Sequence, residues 1–298
     1  MALSGKQFPI AAGEHRATIA EVGASLREYT FAGEPVVAGY REDELMPACD
    51  GAVLVPWPNR VRRGQYTFAG QIYQLPVSGP VIGHALHGLA VYERWFEVER
   101  TPSSVTLGID LVPQPGWPFE VRVEVAYAMD ATSGLTITAS AVNTGSVAAP
   151  FGAGFHSYFS LRGHPLTDAV VQVPAARRLV VDDRQIPVAD RPVAGTFDLR
   201  AGRKLGVDRF DDGFTELTYV DGRGTARVST PSGGAEIWFD EAYRCVTVFT
   251  IEDLVRGIPA VAIEPQTCVP NAYNSGDGLI VLRPGDTWTG SYGIAPLS

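Results

Sequence analysis

Strict alternation of apolar and polar residues is the feature that most constrains this chain. In EVRVEVAYAM (120–129), Val121, Val123, Val125 and Tyr127 fall on one face, and Arg122 and Glu124 fall on the other. A period of two suits a strand, whose successive side chains point to opposite faces, and does not keep an apolar stripe together on a helix. LTITASAV (135–142), AEIWFD (235–240) and RCVTVFTI (244–251) repeat the pattern with β-branched and aromatic residues. Turn clusters such as QPG, TSG, NTG, DGRG and PSGG separate these runs. No apolar run has helical spacing long enough to predict a structural helix. The pattern predicts an all-β fold of many antiparallel strands in stacked sheets.

The 298 residues are 45% hydrophobic and 19% charged, which supplies a substantial core. The 32 glycines and 22 prolines are spread evenly, with no Pro/Ser linker, so residues 1–298 read as one domain. The stretch 174–213 is the most irregular and is expected to be loop rather than a second domain. No period of 20 to 50 residues repeats, so a propeller is not expected. The net charge of -9 repels a phosphate backbone, and no Lys/Arg cluster offsets it, so nucleic acid is excluded as a partner. No apolar stretch approaches the length of a membrane span. The start lacks a basic n-region and an apolar h-region, and the cytoplasm is the expected compartment.

Cys49, Cys245 and Cys268 are odd in number and widely spaced, which argues against a disulfide framework and a cysteine zinc site. Cys49 and Cys268 read as buried, inert thiols rather than nucleophiles. There is no G-x-S-x-G elbow, Walker loop or G-x-G-x-x-G, so serine-triad and nucleotide chemistry lose support.

Polar groups gather where strands meet Gly/Pro turns. VLVPWPNRVRRG (53–64) carries Asn59 and Arg60 after two prolines and a tryptophan. GHALHGLAVYERW (83–95) carries His84 and His87, and AVAIEPQTCVPNAYN (260–274) ends an apolar strand in Glu264. His156 sits among aromatics and glycines in GFHSYFSLRG. A buried carboxylate is costly unless paired. Glu264 therefore either meets an arginine as a structural ion pair or is held ready to take a proton, and both readings stand. Arg60 is equally open between a scaffold clamp and a ligand contact. His156 reads as a core histidine or a catalytic group. His84 and His87 suggest a metal pair, but their i,i+3 spacing suits a helix while this segment is Gly-bounded, and a site would need a third ligand such as His156 or Glu264. His15 and His164 read as exposed or loop residues.

In this order the segments resemble the aldose 1-epimerase (galactose mutarotase) family, in a divergent, bacterial-type branch. The matching pieces are P-N-R-V (58–61), L-H-G (86–88), H-S-Y-F-S-L (156–161), F-D-D-G-F (210–214) and E-P-Q (264–266), spread from about Gly23 to Gly293. The resemblance implies a β-supersandwich, a sugar pocket open to solvent, and neither metal nor organic cofactor. It implies Glu264 as general base and His156 as general acid, with Arg60, His87 and Asp211 contacting the sugar and Asn59 lining the pocket. Asp212 is the alternative to Asp211, which the spacing to Phe214 favours.

The chain also departs from that family. Phe155 and Ser160 stand where two asparagines are common, Leu89 where a glycine is, and Thr247 where a substrate-touching glutamine is expected. The acid/base pair is kept, while hydroxyl selectivity is open. The implied reaction is interconversion of the α and β anomers of a free aldohexose by a monomer or homodimer, with the sugar as partner. On the ionisation side, nearby carboxylates are expected to raise the pKa of His156. A hexose-6-phosphate epimerase, with Arg62 and Arg63 meeting the phosphate, and an idle sugar-binding protein are the alternatives. Trp57, Trp95 and Trp238 are assigned to packing before a sugar-stacking role.

Overall fold

Alternation becomes sheet almost wherever it occurs. The computed structural model describes residues 2–78, 83–255 and 257–297. EVRVEVAYAM forms most of the strand Val121–Asp130, which pairs without register break with Ser104–Leu111 on one side and Gly134–Asn143 on the other. These strands belong to a nine-stranded antiparallel sheet that continues through Thr287–Leu297, Gly233–Asp240 and Arg223–Thr230. A second, eight-stranded sheet is built around Asp211–Leu217, Cys245–Val255 and Ile258–Gln266.

The two sheets share one core. Val123, Tyr127, Ile137, Ile237 and Tyr292 from the first pack with Phe155, Phe214, Val246, Val248 and Ile263 from the second. Burying each such side chain contributes roughly 1.5–3 kcal/mol, so the inward faces are strongly specified. A four-stranded N-terminal sheet adds Phe8, Ile10, Ile19 and Tyr29 to the same cluster. This is the all-β supersandwich expected from the sequence. No helix among the described residues is long and apolar enough to cross a membrane.

Two expectations are corrected. Residues 174–213 are not all loop: Ala175–Val181 and Pro187–Pro192 form an antiparallel hairpin at the edge of the eight-stranded sheet. The alternation is weak there because only Ala175 and Leu179 of the first strand are buried. An edge strand also tolerates the prolines and charges that disguise it in the sequence. His15 is not exposed. It is buried within the strand His15–Ala20, with Nδ1 2.9 Å from the Tyr29 hydroxyl and its ring on Phe31. Its neighbours on the sheet are aromatic, and their packing is not visible in the local pattern. His164 does lie in a loop, with Nε2 2.8 Å from the Ser232 hydroxyl.

Candidate active site

One residue of alternation decides which face of the eight-stranded sheet carries polar groups. Val246, Val248 and Ile263 enter the core, so Thr247, Phe249 and Glu264 point the other way. Pairing lines them up: Thr247 lies opposite Glu264, Phe249 opposite Ala262, and Asp211 opposite Phe249. His156 joins from the neighbouring segment, where Phe155 turns inward against Tyr292 at 4.6 Å. The backbone N–H of His156 donates to the Ala52 carbonyl (3.2 Å), and its carbonyl accepts from the Gly51 N–H (2.9 Å). Phe155 therefore serves packing, and Ser160, whose hydroxyl accepts the Arg162 N–H at 3.1 Å, serves a turn.

Loops from the N-terminal half wall the other side. Arg60–Val61 pairs with Ala85–Leu86, bringing P-N-R-V and L-H-G together. His87 has φ 60° and Gly88 φ 81°. A Cβ at Gly88 would lie 2.0 Å from the Val55 carbonyl oxygen, so only glycine fits at this point of the motif. Nδ1 of His87 accepts the Asn59 N–H at 3.2 Å, which aims the opposite edge of the ring at the site.

These elements enclose a cavity of about 280 Å³. Its polar lining is Asn59, Arg60, His87, His156, Asp211 and Glu264, which are the six residues singled out from the sequence. Its apolar lining includes Leu86, Tyr158 and Phe249. Larger surface grooves, of about 360 and 430 Å³, lie beside Arg244 and beside Phe96. Neither sets a carboxylate against an imidazole.

At the closed end Nε2 of His156 lies 3.4 Å from Oε1 of Glu264, with side chains 7% and 2% exposed. The His156 ring stacks on Tyr158 (5.0 Å between centroids) and meets the edge of His87 (5.2 Å). Toward solvent, Arg60 reaches Asn59 Oδ1 at 3.1 Å and Asp211 Oδ2 at 3.5 Å. Asp212 lies outside the lining, 3.6 Å from Arg178.

Burial dominates the electrostatics. It pushes Glu264 well above the usual carboxylate range, and Asp211 pushes the same way, against the Gln266 hydrogen bond and the Arg60 charge. It also holds His156 down at about 4, the reverse of the expected upward shift, because desolvation of the imidazolium outweighs its polar neighbours. His87 is held well below its ordinary value by burial and then by His156 and Arg60. Burial thus works against the charged form of both partners in the His156–Glu264 pair.

The other expectations divide. Nδ1 of His84 accepts the Arg63 N–H (2.8 Å), and Nδ1 of His87 accepts the Asn59 N–H. Among the described residues no group of three His, Cys, Asp or Glu side chains is arranged for a metal. Arg62 is engaged by Asp182 at 3.2 Å, and neither Arg62 nor Arg63 lines the cavity. Trp57 and Trp95 are core residues, and Trp238 carries Arg223 on its ring, so Phe249 and Tyr158 provide the apolar faces instead. Burial pushes the Cys49 and Cys268 thiols up to about 11 and 12.

Two residues outside the expected set also matter here. Gln266 donates from Nε2 to Glu264 Oε2 at 3.0 Å. Its two-residue spacing from Glu264, hence a shared strand face, was the available signal. Asp50 is fully buried, accepts the Tyr158 N–H at 3.3 Å through Oδ1, and has no partner at Oδ2 among the described residues. No sequence pattern marks it.

Comparison with known proteins bears on the family and the fold. The aldose 1-epimerase family model matches residues 7–295. The uncharacterised Escherichia coli K12 protein YihR is 35% identical over 96% of this chain and 91% of its own length. Mouse galactose mutarotase is 31% identical over 62% of this chain and 57% of its own. Among solved structures, an aldose epimerase homologue from C. elegans superposes with a TM-score of 0.85 at 24% identity, covering 98% of this chain and 99% of that one. By sequence and by fold, this chain belongs to the aldose 1-epimerase family.

Proposed function

We propose that this protein is an aldose 1-epimerase that interconverts the α and β anomers of a free aldohexose. The observation that carries the reading is the His156–Glu264 pair, 3.4 Å apart at the closed end of a cavity open to solvent. The anomeric hydroxyl and the ring oxygen sit on the same carbon, so adjacent groups can address both.

Glu264 takes the proton of the C1 hydroxyl as His156 gives one to the ring oxygen, and the C1–ring-oxygen bond breaks to leave an aldehyde. Rotation about C1–C2 presents the other carbonyl face, and closure reverses both transfers. The ionised arrangement, Glu264 carboxylate with His156 imidazolium, has the same proton count as the neutral one. It is reached by moving one proton across the pair, and Arg60 and Gln266 favour it by stabilising the carboxylate. Each positioned acid or base contributes typically ~10²–10⁴-fold, so two suffice for a reaction of this modest difficulty. Arg60, Asp211, Asn59 and His87 hold sugar hydroxyls, and Phe249 and Tyr158 face the C–H side of the ring.

The test is a coupled anomerisation assay over a panel of aldoses, glucose 6-phosphate included, with Glu264→Gln and His156→Asn as controls. Each variant is expected to lose at least ~10²-fold in kcat. Near-normal turnover in either removes that residue from the mechanism. Tight sugar binding without accelerated anomerisation would make the protein a binder.

A further inference from the structure

The two oxygens of Glu264 have different surroundings. Oε1 faces His156, and Oε2 takes the hydrogen bond from the Gln266 amide. Gln266 is fully buried, yet its own Oε1 has no partner among the described residues. An orphaned buried oxygen is destabilising. A side chain serving only to fill this space would be better apolar, with leucine or methionine of similar volume. Gln266 is also held in place: its backbone carbonyl accepts the Arg244 N–H at 2.9 Å, and a Cβ at Gly154 would press on its Cγ at 3.1 Å. Thr247, opposite Glu264 in the sheet, has a hydroxyl with no partner among the described residues.

Building on the acid/base reading above, we propose that Gln266 is a positioning residue for proton transfer: its amide ties Oε2 of Glu264, favours the carboxylate, and leaves Oε1 to meet the sugar. A neutral donor suits this task. A guanidinium in the same place would hold the carboxylate but drain the basicity the reaction needs. The amide stabilises the charged form without adding a charge to a dry site.

The experiment compares wild type, Gln266→Leu and Gln266→Glu on the aldose that wild type turns over fastest. Hydrogen bonds to charged groups contribute about 1.5–3 kcal/mol, so Gln266→Leu is expected to lower kcat by ~10–100-fold. Its KM should stay within about twofold of wild type, because the amide does not line the cavity. The alkaline limb of its pH profile should move up, since the carboxylate has lost a donor. Its Tm should stay close to that of wild type, because losing the orphaned Gln266 oxygen offsets the donor lost at Oε2 of Glu264. A merely structural role predicts the opposite, with Tm and activity falling together.

Gln266→Glu should be poorly active at neutral and alkaline pH and recover as the pH falls, when the introduced carboxyl is protonated and can donate again. Wild-type kcat with an unshifted alkaline limb in Gln266→Leu, or no acid recovery in Gln266→Glu, overturns the inference alone. A wild-type protein inactive on every aldose overturns the epimerase reading and this inference with it.

Discussion

Asp50→Asn isolates the cost of a buried acid that the chemistry does not use. Asp50 is fully buried, and the groups that offset this are the backbone N–H donors of Tyr158 and Gly39. Burial pushes its carboxyl from 3.8 to about 8. In the unfolded chain the group ionises as pH rises through 3.8, while in the fold it keeps its proton until about 8. Unfolding therefore releases a proton across this window, and stability falls as pH rises, by up to about 1.4 kcal/mol per pH unit. Accumulated to neutrality, this amounts to about 4 kcal/mol. Asparagine keeps the Oδ1 acceptor for Tyr158 and cannot ionise. Its new N–H₂ lacks a partner, at a cost of about 1–3 kcal/mol. The variant should be equal to or less stable than wild type near pH 4.5 and more stable near pH 8. Urea denaturation followed by tryptophan fluorescence at several pH values measures the difference. Stability curves that run parallel for the two proteins from pH 5 to 8 would refute the argument, because the difference would then contain no ionisation of Asp50.

Two further outcomes follow from the site. The pH profile of kcat/KM should be a bell with an acid limb near pH 4, where burial holds His156 and where the pair gains a second proton, and a separate alkaline limb as Glu264 loses its own; an acid limb centred at the ordinary histidine value near 6.5 would contradict it. Arg60→Ala should raise KM by ~10-fold with a smaller change in kcat, and combining it with Asp211→Asn should cost less than the sum of the two, since the side chains contact each other at 3.5 Å. Strict additivity in steady-state kinetics would separate their roles.

The strands around Val121–Asp130 and Gly134–Asn143 were legible because one face is buried and the other is not, so a period of two is written into the residues. The hairpin at 175–192 was not, since a sheet edge with little buried surface leaves no alternation to read. All six expected polar residues meet in one cavity, because the motifs that carry them sit at strand ends and tight turns. His15 misled because a buried aromatic neighbourhood formed by Tyr29 and Phe31 lies across a sheet, outside any local window.

By itself, then, the chain of residues determined the all-β architecture and marked the turn segments that carry the site's polar residues. Those depend on local periodicity and on residue type at turns. Tertiary structure decided the rest: that burial works against the charged forms of both Glu264 and His156, and that Asp50 is enclosed with backbone N–H groups as its partners. Each of those depends on desolvation by segments distant in sequence, and a residue cannot carry its own dielectric environment in its identity.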